Sequence, residues 1–150
     1  MYWPEKLDIL KKKYSSTEFK DMFREGGNVI EKIIRKFHNA TYLTFTGSHD
    51  RQSLLKNCEL VKETTILGVD SYLDELEDNT NYWLLLVKTP MGNDLQVYDC
   101  RKEPLFDLYY LSSIKEQEFY IVDKKYKWLL YFRINRYENN ACIYRSNNEQ

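Results

Sequence analysis

Glu118-Phe119-Tyr120-Ile121-Val122-Asp123-Lys124-Lys125-Tyr126-Lys127-Trp128-Leu129-Leu130-Tyr131-Phe132-Arg133-Ile134 is the stretch that decides how this chain folds. Its two flanks, 118–123 and 127–134, are rich in β-branched and aromatic residues. Lys124-Lys125-Tyr126 between them has room only for a tight connection, so the stretch predicts an antiparallel hairpin. Alternation places Trp128, Leu130, Phe132 and Ile134 on one face and Leu129, Tyr131 and Arg133 on the other. The first face is wholly apolar and the second mixed, as suits a central strand pair half covered by helices.

Working outward toward the C-terminus, Asn139-Asn140 turns the chain into a last strand over 141–145, before a polar tail. On the other side, Pro104 opens a short helix carrying Leu105, Leu108, Tyr109 and Leu111. Before it, 82–89 and 95–100 read as strands joined by a loop over 90–94. The run 82–87 is continuously apolar, which makes this strand either central or covered on both sides. Residues 70–78 look helical, with Tyr72, Leu73 and Leu76 among five acids. Residues 59–67 are ambiguous, Thr64-Thr65-Ile66 favouring a strand, while 41–46 alternates as a strand and 51–57 suits a short helix.

The strongest helix follows Asn28 as its cap. Val29, Ile30, Ile33, Ile34 and Phe37 line one side, and Glu31 and Arg35 pair on the other. Ser15 and Glu18 match a capping box, predicting a short helix over 17–24 that Gly26-Gly27 ends. Trp3-Pro4-Glu5 opens a first helix with Leu7, Leu10 and Tyr14 inward and Lys11, Lys12 and Lys13 toward water. Helices lead and antiparallel strands dominate the second half. The class is α+β: a single domain over 1–150, with N-terminal helices on one face of a mainly antiparallel sheet.

Bulk properties narrow the function. The chain carries 22 basic and 23 acidic residues, so the basic excess of a duplex-binding module is absent. Cys58, Cys100 and Cys142 lack metal-ligand spacing and read as free thiols, with Cys142, between Ala141 and Ile143, the one whose neighbours suggest burial. The first residues lack a signal peptide's apolar core, and 82–87 falls far short of a membrane span, so a cytoplasmic chain away from membranes is expected.

Several residue groups invite chemistry. His38 and His49 could serve acid–base cleavage in a small hydrolase or nuclease. His38, however, suits a helix end, and Ser48-His49-Asp50 suits a turn, since consecutive residues do not converge as a triad must. Asp99, Glu103, Asp107 and Asp123 could hold a divalent ion, but their spacing does not enforce it. Sheet tyrosines beside Lys124, Lys125 and Lys127 would suit a single-stranded nucleic acid. The most uneven feature is acidic: Asp70, Asp74, Glu75, Glu77 and Asp78 fall within nine residues with no Lys or Arg among them. Its plain reading is a solvated helix face. Its functional reading is a docking surface for a basic protein, with Tyr72 and Tyr82 as aromatic anchors.

Tyr82-Trp83-Leu84-Leu85-Leu86, Val97-Tyr98-Asp99 and the stretch from Phe119 to Leu130 resemble a group of small bacterial proteins, some encoded beside secreted toxins and regarded as immunity proteins. The resemblance spans about residues 80 to 134 and rests on core aromatics and turn residues. It implies a common fold, and a role in neutralising a toxin by direct contact. The expectation is therefore a non-catalytic, cofactor-free binding protein whose partner is a protein, most concretely a basic toxin domain. Nothing in the sequence sets an oligomeric state.

Overall fold

The hairpin forms as the alternation predicts. The computed structural model describes residues 3–37, 56, 58–87, 95–111 and 116–146. In it, β4 (Glu116–Val122) and β5 (Leu129–Asn135) are the two central strands of a six-stranded sheet. Phe119 lies opposite Phe132 and Tyr120 opposite Tyr131, with ring centroids 4.6 and 4.8 Å apart. Such aromatic pairs add roughly 0.5–1.5 kcal/mol each beyond their burial. The turn is longer than 124–126. Asp123 N–H donates to the Trp128 carbonyl (3.3 Å) and Tyr126 N–H to the Asp123 carbonyl (2.8 Å). Tyr126 takes the left-handed conformation at φ 58°.

The remaining strands are β1 (Cys58–Thr64), β2 (Tyr82–Val87), β3 (Leu95–Cys100) and β6 (Asn140–Ser146). The order is β1-β6-β5-β4-β2-β3, and every pair is antiparallel. All six residues of β2 are buried, as its unbroken apolar run requires. Strand β1 resolves the ambiguity at 59–67. Beyond it a single 3-10 turn, Ile66–Gly68, packs so closely that a Cβ on Gly68 would lie 2.1 Å from Thr64 Oγ1.

The described helices are α1 (Trp3–Lys13), α2 (Gly26–Phe37), α3 (Val69–Asp74) and α4 (Lys102–Leu111). The α+β class and antiparallel sheet agree with the sequence reading, but the helices divide between two faces instead of gathering on one. Leu7 and Leu10 of α1, Leu73 of α3 and Leu105 and Leu108 of α4 pack on the face of Leu84, Phe119 and Phe132. Val29, Ile33 and Phe37 of α2 pack on the opposite face, against Trp83, Leu85, Tyr120 and Tyr131. The reason lies in the strands: β2, β4 and β5 bury side chains on both faces, so each face needs its own apolar cover.

The helix expected over 17–24 is absent. The capping-box bonds do form, Ser15 N–H to Glu18 Oε1 (3.0 Å) and Glu18 N–H to Ser15 Oγ (3.3 Å). Hydrogen bonding from Ser15, its backbone N–H first and then its side chain, holds the Glu18 carboxyl below its ordinary value. Beyond Glu18 the chain runs along the outer edge of β3. Arg101 N–H donates to the Glu18 carbonyl, Lys20 N–H to the Asp99 carbonyl and Phe23 N–H to the Val97 carbonyl, at 2.9 to 3.0 Å. An uncovered edge of main-chain donors and acceptors competes with a short helix for the same groups, and here the edge wins. It also sends Phe19 into the core, stacked on Tyr98 at 5.6 Å.

Gly26-Gly27 opens α2 instead of only ending what precedes it. Gly26 is buried, and a Cβ there would meet Val97 Cγ2 at 3.1 Å, whereas Gly27 faces open space. The expected Glu31–Arg35 pair forms at 2.5 Å. Among the thiols, Cys100 rather than Cys142 is the fully buried one. Ala141 and Ile143 point into the core, so Cys142 between them faces the other way and is half-buried. The expected strand at 41–46, the loop at 90–94 and, apart from Lys56, the helix at 51–57 lie outside the described residues. No described helix is long and apolar enough to cross a membrane.

Candidate functional site

The acidic run does not form one continuous helix. Helix α3 stops at Asp74, short of the expected Asp78, and Leu76 N–H turns back to the Leu73 carbonyl at 3.1 Å. The cause lies on α4. Lys102 Nζ donates to the carbonyls of Leu76 (3.1 Å) and Asp74 (3.4 Å), capping the end of the helix. The same ammonium pairs with Asp78 at 3.0 Å and lies 3.9 Å from Asp74. The bond to Asp78, then the surrounding carboxylates, hold Lys102 above its ordinary value. A cation at a helix C-terminus meets both the free carbonyls and the acids that cluster there.

After the helix, Asn79 takes φ 57°, a left-handed conformation that asparagine tolerates well. This brings the chain back to β2. Tyr82, the first residue of that strand, accepts a hydrogen bond from the Glu77 backbone N–H through its hydroxyl (2.9 Å). The ring is buried, and burial raises the hydroxyl pKa, with Glu77 and Asp123 adding to the effect. The tyrosine thus fastens the acidic turn to the sheet.

This arrangement encloses a cavity of about 380 Å³ at the sheet end. One wall is the acidic segment, with Tyr72, Glu75, Leu76 and Glu77. The floor is Tyr82 and Leu130, and the hairpin turn contributes Asp123 and Trp128. Tyr82 and Trp128 lie with ring centroids 5.6 Å apart, tilted by 51°. Arg145 of β6 closes the rim, its guanidinium 5.6 Å above the Tyr72 ring and 3.0 Å from Glu75 Oε2. The site therefore joins aromatic rings to carboxylates, the combination that attracts a cation out of water.

Of the residues expected to bind a partner, Tyr72, Glu75, Glu77 and Tyr82 line this cavity. Asp74 and Asp78 instead flank Lys102, with exposed carboxylates, and Asp70 lies in the first turn of α3. Thr80, Asp123, Trp128, Leu130 and Arg145 also line the site without having been singled out for it. The sequence marks Asp123 only as a possible ion ligand, and strand alternation places Trp128 and Leu130 on the apolar face; nothing local ties Asp123, Trp128, Leu130 or Arg145 to the acidic run.

The other candidate groups fare differently. His38 and His49 lie outside the described residues. Asp99 is taken by Lys124 (2.6 Å) and Asn81 (2.7 Å), and Asp107 by Lys13 (2.5 Å) and the Tyr14 hydroxyl (2.7 Å). With Glu103 and Asp123 they are dispersed, and the described residues contain no group of three or more His, Cys, Asp or Glu placed to hold a metal ion. Lys124 also lies 3.7 Å from the Trp83 ring centroid. Tyr120 and Tyr131 are buried with α2 on their face, so these rings offer bases no stacking surface.

Residues 5–150 match the model of a family of unknown function, DUF6756. The chain belongs to that family. The matched range contains every strand of the sheet and each wall of the cavity, so the DUF6756 match takes in the whole candidate site. No curated protein and no solved structure matches the chain.

Proposed function

We propose that this DUF6756 chain is a non-catalytic binding protein of the immunity type, which neutralises a basic toxin domain by covering it. The observation that carries this reading is the cavity, where aromatic rings and acidic side chains of 72–82 stand together at the sheet end. The resemblance of residues 80 to 134 to immunity-type proteins supports the same role. Inhibition is steric, with the acidic rim speeding the encounter. The partner is a protein in the compartment where the chain resides, which the reading takes to be the cytoplasm.

The test screens the reading frames adjacent to the gene for a secreted toxin and pairs the purified chain with each candidate product, measuring toxin activity and association rate across a range of salt. Inhibition at stoichiometric chain is expected, with association slowing as salt rises. Glu77→Lys is the informative charge reversal. Asp74 and Glu75 already hold Lys102 and Arg145, so reversing them would disturb the fold as well as the surface. Toxin activity untouched by an excess of folded chain would overturn the proposal.

A further inference from the structure

The charges around the cavity do not balance. Asp74 and Asp78 share Lys102, and Glu75 is met by Arg145. Glu77 and Asp123 also face the cavity, and neither forms a salt bridge with a Lys or Arg among the described residues. One Asp123 oxygen accepts the Lys127 backbone N–H at 3.2 Å, which leaves its second oxygen for another donor. Both carboxylates act on the same buried hydroxyl of Tyr82, so their potential converges there. Beside them stand the Tyr82–Trp128 ring pair and the apolar Leu76 and Leu130. The cavity volume of 380 Å³ lies at the small end of ligand pockets, which run from ~300 to ~1,000 Å³, and suits a side chain.

The geometry points to a receptor for a single arginine side chain of the protein partner. Its guanidinium sits between Glu77 and Asp123 on the Trp128 ring, and its methylene stem lies against Leu76 and Leu130. Guanidinium fits better than ammonium because it is planar, stacks on aromatic faces and serves two carboxylates from one fork. The chain already makes this recognition internally, where Arg145 lies over Tyr72 and against Glu75. The inference rests on the binding-protein reading and adds the chemical group that is recognised.

Nα-acetyl-arginine amide, titrated into the full chain and followed by amide and indole NMR shifts, tests it. Saturable shifts are expected at Glu77, Tyr82, Asp123 and the Trp128 indole. Nα-acetyl-citrulline amide keeps the shape and lacks the charge, and its affinity should be about tenfold lower or weaker still. Glu77→Gln combined with Asp123→Asn should weaken arginine amide by a similar factor. These substitutions keep the Glu77 backbone N–H donor and the Asp123 side-chain acceptor, so the fold survives. Trp128→Phe provides a second variant with the aromatic face reduced, and it should also weaken binding. Equal affinity for citrulline and arginine amides, or shifts mapping away from the cavity, would overturn the inference. If arginine amide ignores the cavity while the chain still inhibits its toxin, this inference falls and the binding-protein reading stands. Arginine amide bound in the cavity of a chain that inhibits no toxin supports the site and removes the wider reading.

Discussion

Replacing Tyr82 by Phe removes one atom from the joint between the acidic turn and the sheet. The ring is 3% exposed and keeps its packing, including the tilted contact with Trp128. What disappears is the 2.9 Å hydrogen bond from the Glu77 N–H to the tyrosine hydroxyl. A neutral hydrogen bond contributes about 0.5–1.5 kcal/mol net, and Glu77 is exposed enough for water to replace part of it. The expected loss is therefore about 1 kcal/mol. Unfolding entropy of about 2.1 cal/mol/K per residue gives the chain roughly 0.3 kcal/mol/K, so the melting temperature should fall by about 3 °C. Urea unfolding at pH 7 measures the loss, and amide exchange locates it. The Glu77 amide should exchange faster in the variant while the β4 and β5 amides keep their protection. The pH dependence has a definite sign. Burial raises the folded hydroxyl pKa above its ordinary 10.0, so the unfolded chain loses this proton first. The hydroxyl's stabilising effect is thus complete below pH 10 and declines as pH rises beyond it, so the gap between wild type and Tyr82→Phe should narrow there. A Glu77 amide that exchanges equally fast in both proteins would refute the reasoning, as would a loss of several kcal/mol.

Phe132 is fully buried at the sheet centre, and Phe132→Ala should cost about 3–5 kcal/mol in urea unfolding. Gly26 and Gly27 should respond with opposite signs. Gly27→Ala should gain up to ~1 kcal/mol in helix formation, whereas Gly26→Ala presses its Cβ to 3.1 Å from Val97 and should lose about 1–3 kcal/mol before that gain is counted. Thermal melts of the two single variants check this pair. Burial pushes the Cys58 thiol up to about 11 and raises that of the wholly buried Cys100 further. A thiol reagent at pH 8 should label Cys58 slowly and Cys100 only on unfolding, as mass spectrometry of the labelled peptides would report.

What the sequence determined by itself is the local, periodic part of the fold. Alternation over 118–134 was enough to place a central antiparallel hairpin, and the unbroken apolar run 82–87 announced a strand either central or covered on both sides. That each face has its own helices was seen only in the structure. The side-chain spacing of α2 and the Glu31–Arg35 pair were likewise legible, because a helix's own geometry sets which residues are neighbours. Tertiary structure decided wherever two distant segments competed for the same groups. The outer edge of β3 drew residues 18–23 away from the helix that their capping box proposed. Lys102, from α4, ended the acidic helix at Asp74 by capping its carbonyls. The candidate site is of this second kind. The acidic run was visible, but its aromatic floor and closing cation come from a hairpin turn and a last strand as far along the chain as Arg145. No local period links them, and only the order of strands in the sheet brings them to one end.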